Sequence, residues 1–102
     1  MDIQQLLKQA QGFQEKMQAI QEQLAGRNFS ARAGGGMVTA TVNGRGELVD
    51  LVVEPEILAG NDPQMLRDLV LAAVNAALRE ARDESRAEMS KLTGGLNLPG
   101  LF

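Results

Sequence analysis

A chain of 102 residues without a single Cys or His fits one domain and excludes thiol catalysis, imidazole catalysis, Cys- or His-ligated metals and a disulfide framework. Its hydrophobic fraction is 44% but its aromatic fraction only 3%, so the core is built from small aliphatic pieces, a thin interior for which oligomerisation is the usual remedy. The net charge of −3 is unevenly spread: residues 1–36 carry four basic and three acidic residues, 37–62 carry one against five, and 63–102 carry five of each.

No apolar stretch approaches the roughly 20 residues of a membrane span, and Asp2 with its Gln-rich sequel does not look like a signal peptide. A cytoplasmic protein that engages no membrane is the expectation. Because local charge within a Debye length of about 8 Å governs contact with a polyanion, the acidic middle does not stop the terminal segments from meeting one.

Ile3, Leu6, Ala10, Phe13, Met17, Ile20 and Leu24 recur at alternating gaps of three and four, drawing one apolar stripe along a helix of about six turns. Asp2 caps this helix over 2–25 and Gly26 stops it. A stripe so narrow, flanked by Gln, Lys and Glu, requires a partner helix or sheet, and a dimeric binding protein is the natural solution.

Phe29, Ala31 and Ala33 then alternate with Ser30 and Arg32, the pattern of a short strand. Gly34–Gly36 resembles a phosphate loop only superficially. No Gly-Lys-Ser/Thr follows and the run opens into a strand, so a bulged link between strands is the better reading. Met37–Val42 predicts a second strand with Val38, Ala40 and Val42 on one face. Asn43-Gly44 predicts a type I′ hairpin, with Gly46 adding slack for a bulge and Arg45 a solvated tip residue. Glu47–Val53 returns as a third strand, Val49, Leu51 and Val53 inward and Leu48 and Val52 on a partly covered second face, and Pro55 ends it. The sheet spans 29–54.

Asn61-Asp62-Pro63 is a helix start, a side-chain cap followed by Pro at the first helical position. The helix continues over 63–92, about 45 Å. Leu66–Leu78 is apolar almost all round and predicts burial on every side. Asn75 lies within it, and a buried amide without partners costs about 1–3 kcal/mol, so it fixes packing register or contacts a ligand. From Arg79 the helix becomes a charged rod whose thin stripe is Leu78, Ala81, Ser85, Met89 and Leu92, projecting beside the first helix. Arg79, Arg82 and Arg86, at i, i+3 and i+7, share one face, and Glu80, Glu84 and Glu88 form a stripe of their own. Two readings are open: a solvated helix with pairs such as Arg79–Asp83 and Glu88–Lys91, or an arginine row that contacts phosphates, with Lys8, Lys16, Arg27 and Arg32 as the first helix's share. The tail over 94–102 is expected to be mobile, leaving a single domain at 1–93.

Ala33-Gly34-Gly35-Gly36-Met37-Val38, Asn43-Gly44-Arg45-Gly46-Glu47, the helical run Asp68–Ala77 and the ending Lys91-Leu92-Thr93-Gly94-Gly95-Leu96 with Pro99-Gly100 resemble the YbaB/EbfC nucleoid-associated proteins of bacteria, in order and over nearly the whole chain. Ala76 departs from the acidic residue that the family often has after the helix Asn. The resemblance implies an α+β fold, an α-β-β-β-α subunit with a small antiparallel sheet and two long helices. It further implies a homodimer whose helical arms project like tweezers, bind duplex DNA at the nucleoid and alter DNA conformation, nucleoid organisation and gene expression. Carried onto this sequence, the DNA-contacting candidates are Lys8, Lys16, Arg27, Arg32, Arg79, Arg82, Arg86 and Lys91. No cofactor, metal or small-molecule substrate is expected. The alternatives are a coiled-coil clamp or adaptor for another protein, and an enzyme holding Mg²⁺ with carboxylates around Asp50 and Glu54.

Overall fold

In the computed structural model, which describes residues 2–93, the chain runs through α1 (Ile3–Ala25), β1 (Asn28–Ala33), β2 (Val38–Asn43), β3 (Leu48–Val53), α2 (Pro55–Ala59) and α3 (Pro63–Thr93). The three strands form one antiparallel sheet in the order β1-β2-β3. This is the α+β architecture that the sequence implies, with one short helix added. The tail at 94–102 lies outside the described residues.

Local chemistry sets the element ends. Asp2 accepts the Gln4 amide at 3.3 Å, and Asp62 accepts the Met65 amide at 3.0 Å with Pro63 next to it, so both long helices begin on a carboxylate cap. Gly26 ends α1 in a right-handed conformation, φ −87°, rather than as a left-handed cap. Gly34, Gly35 and Gly36 take φ of 63°, 68° and 99°, three consecutive left-handed residues that turn β1 into β2.

The core lies between the β1–β2 half of the sheet and α3. Val38, Ala40 and Val42 are fully enclosed, Phe29 lies opposite Val42, and Ala73, Ala77 and Ala81 form the facing stripe at i, i+4, i+8. Alanines at that spacing let α3 lie close on the sheet. Leu24 from α1 and Ile57 from α2 close the two ends of this cluster.

Several expectations are corrected. The β2–β3 connection is not a type I′ turn: Gly46 donates its amide to the Asn43 carbonyl at 3.0 Å, Asn43 pairs with Glu47, and only Gly46 has positive φ, 82°. It is a three-residue loop, a type I turn closed by a left-handed glycine. The register slips between Thr41 and Val42, so Leu48 lies opposite buried Val42 and takes the inner face that alternation had given to Val49. Within one chain β3 is covered only at its end, where Val53 is half-buried against the core opposite Val38, whereas Leu48, Val49, Leu51 and Val52 are exposed. The apolar half of α3 is likewise covered on one side only: Met65, Leu71 and Asn75 are exposed, so Asn75 is no buried amide in this protomer. Pro55 does more than end β3, for it is the first residue of α2, whose Gly60 cap donates to Glu56 and Ile57.

The described molecule measures 68 × 25 × 16 Å with a radius of gyration of 19.4 Å. A compact domain of this length would have about 13 Å. The excess comes from α1 and the second half of α3, which pack on one another and extend away from the sheet.

Candidate nucleic-acid interface

The projecting rod begins where α3 leaves the sheet. Ala81 is its last buried residue, and Ser85, Met89 and Leu92 continue that side half-buried toward α1. At its far end Leu92 lies beside Gly12, Phe13 and Lys16 across a shallow groove. Phe13 is therefore level with the last described turn of α3, and Ile3 lies about 15 Å further on at 1.5 Å per residue. Ile3, Leu6 and Leu7 are accordingly exposed.

The arginine row runs along an exposed flank of this rod. Arg79, Arg82 and Arg86 are exposed, and among the described residues none of the three makes an ion pair. The Arg79–Asp83 pair is not formed. The acidic stripe, in contrast, is partly occupied: Glu84 binds Arg27 at 3.1 Å and Glu88 binds Lys91 at 3.1 Å. These two pairs occupy two of the rod's four carboxylates, while among the described residues Glu80 and Asp83 make no ion pair with the arginine row.

They also divide the eight candidate residues. Arg27 is tied to α3 through Glu84 and its guanidinium lies 5.2 Å from the centre of the Phe29 ring, so it braces the start of the sheet against the rod. Lys91 is committed to Glu88 but remains well exposed. Lys16 borders the distal groove and Lys8 is exposed nearer the free end of α1. Arg32 faces Thr39 across the sheet surface opposite α3, beside the 2.7 Å hydroxyl contact of Ser30 and Thr41. It does not share a surface with the arginine row.

One basic residue comes to the rod that sequence reasoning left as a solvated tip. Arg45, at the β2–β3 turn, lines an open groove of about 520 Å³ together with Gly44, Leu78, Arg82, Ser85 and Arg86. No spacing rule connects residue 45 to residues 82 and 86. The available signal was the pair of glycines around it, which let the turn approach a helix. The carboxylates of the enzymatic alternative are unremarkable: Asp50 accepts the Leu51 amide at 3.0 Å, Asp50 and Glu54 are exposed, and among the described residues no acidic cluster fit to hold a metal is present. No described helix is long and apolar enough to cross a membrane.

Comparison with known proteins adds the identity of the fold and its lineage. The YbaB/EbfC DNA-binding family model matches residues 1–96. A nucleoid-associated protein of Clostridium kluyveri is 50% identical over 97 residues, covering 95% of this chain and 85% of its own. One from Desulfotalea psychrophila is 50% identical over 101 residues, covering 99% and 95%. The crystal structure of an uncharacterized Helicobacter pylori protein superposes with a TM-score of 0.80 at 25% identity, over 90% of this chain and 97% of that one. Neither the family description nor the relatives' names denote an enzyme. With its length matched almost end to end, the chain belongs to the YbaB/EbfC DNA-binding family.

Proposed function

We propose that this protein is a homodimeric nucleoid-associated protein that binds duplex DNA through its projecting helices and alters DNA conformation and nucleoid organisation, with consequences for gene expression. The observation that carries the DNA reading is the row of Arg79, Arg82 and Arg86, none of which makes an ion pair among the described residues, while two neighbouring carboxylates are taken up by Arg27 and Lys91. Lys8, Lys16, Arg27, Arg32 and Lys91 complete the basic set, with Arg32 on a separate surface. Backbone contacts dominate, because the chain has no Trp or Tyr, Phe29 beneath Arg27 is buried and Phe13 beside Lys16 is half-buried toward α3, so none of these rings is presented to stack on bases.

The dimer draws support from β3. Leu48, Val49, Leu51 and Val52 are between 39% and 51% exposed along an edge strand, a combination that invites pairing with another chain. A second copy would cover this edge and leave the rods free on either side.

A protein clamp is the second reading, favoured by Ile3, Leu6 and Leu7, which are 71%, 49% and 58% exposed at the free end of α1. A gel-shift titration with duplex DNA at two ionic strengths separates the two. DNA binding predicts retarded bands at low salt that vanish at high salt, and their loss when Arg79, Arg82 and Arg86 are all reversed to Glu with the dimer intact. Unchanged mobility at low salt and tens of micromolar protein would favour the clamp.

A further inference from the structure

The β2–β3 turn is built as a fixed mount. The Asn43 side-chain oxygen accepts the amides of Arg45 at 3.0 Å and Glu47 at 3.1 Å, while its Nδ2 donates to the Glu47 carboxylate at 3.0 Å. Gly44 donates its amide to the Arg27 carbonyl at 3.1 Å and lies flat against the Leu24 carbonyl. Gly46 faces the Leu78 side chain of α3. The turn is thus pinned at once to the end of α1 and to the point where α3 leaves the sheet.

Its one long side chain is Arg45, which is exposed and, among the described residues, has no ion-pair partner. The nearest acid in its own loop, Glu47, is occupied by Asn43. On one side Arg45 borders the open groove with Arg82, Ser85 and Arg86, and on the other a second groove lined by Gln18, Gln21 and Glu22. Three guanidinium groups and a hydroxyl therefore surround one concavity, and two elements distant in sequence supply them.

We infer that Arg45, Arg82 and Arg86 form a phosphodiester clamp at the root of the rod, which seats the DNA backbone against the body of the protein rather than along the free ends of the helices. The inference rests on the DNA-binding reading and adds to it a residue and a location. Guanidinium groups suit this role because each presents paired N–H donors that match phosphate oxygens, and Ser85 can donate a further hydrogen bond. Because Arg45 is held by a turn braced on both helices, a phosphate in the groove would also resist movement of the rod relative to the sheet.

The test is fluorescence anisotropy with a duplex oligonucleotide across a chloride series, comparing wild type, Arg45→Ala, Arg45→Lys and Lys8→Ala. Arg45 is exposed, so these variants should keep the wild-type circular dichroism and sedimentation. The expected result is a loss of about tenfold in affinity at low salt for Arg45→Ala and a log–log salt slope shallower by about one per engaged protomer. Arg45→Lys should restore the slope but only part of the affinity, since a point charge replaces a fork. Lys8→Ala, near the free end, removes one distal contact and should lose clearly less affinity than Arg45→Ala. If Arg45→Ala binds like wild type with an unchanged slope, the clamp is wrong and the DNA reading stands. If Lys8→Ala loses more than Arg45→Ala, DNA is seated distally and the clamp is again wrong. Absence of any wild-type binding would remove both.

Discussion

A methyl group at position 44 would meet the Leu24 carbonyl oxygen and the Ala25 amide nitrogen, both backbone atoms of α1 that cannot turn aside. Gly44→Ala should therefore destabilise the fold by about 2 kcal/mol or more, read from urea denaturation, whereas Gly35→Ala, where the added atom meets open space at φ 68°, should be limited to the cost of its backbone conformation, about 1 kcal/mol. The Arg27–Glu84 pair lies at the other extreme. Both partners are substantially exposed, so a double-mutant cycle should return a coupling below about 1 kcal/mol. The residues Asn43, Gly44 and Gly46 were legible as a turn, because their types advertise one. Its form was not, since the choice between a type I′ turn and a type I turn with a left-handed glycine is made by packing against α1. Arg45 was underrated for the same reason: what surrounds a turn residue is decided by elements far away in the chain.

At the level of elements, the apolar periodicity of α1 and the caps at Asp2 and Asp62 were enough to place both long helices. The five-residue α2 escaped because it is too short to show a period, and because Pro55 reads equally as the end of a strand and the start of a helix. In α3 the near-continuous apolar stretch concealed which sector faces inward. The structure selects Ala73, Ala77 and Ala81, the small residues, and leaves Leu71 outside. Large side chains in that inner stripe would lift α3 off β1 and β2. Ala77→Leu should accordingly cost about 1–3 kcal/mol by thermal or urea unfolding, while Ala72→Leu on the exposed side should be close to neutral in the protomer. A loss for Ala72→Leu that depends on protein concentration would instead place that side in a subunit interface.

For the whole molecule, shape and charge jointly constrain how DNA is held. With a net charge of −3, long-range attraction to DNA is not supplied by the chain as a whole. In the proposed dimer, affinity then comes from short-range contacts of the rods and from the number of rods engaged together. If three arginines on each of two rods neutralise one phosphate apiece, the log–log salt slope of the dimer should be about −5, at about −0.9 per phosphate. The uncovered inner face of β3 provides an independent handle on the second factor. Leu48 and Leu51 lie opposite Val42 and Ala40 yet are exposed, so Leu48→Lys with Leu51→Lys leaves the core of the protomer intact while placing two charges where a second copy would pack. Sedimentation should then show a shift from twice the chain mass toward the single chain. The same double variant should bind DNA with roughly half the wild-type salt slope, because each protein molecule then holds half as many phosphates. Its affinity should fall by more than the loss of contacts on one rod explains, since the second rod no longer benefits from the effective concentration set by the first. A double variant that remains dimeric would mean that the subunits pair elsewhere, and a monomer that retained the full slope would mean that one rod alone carries all the contacts.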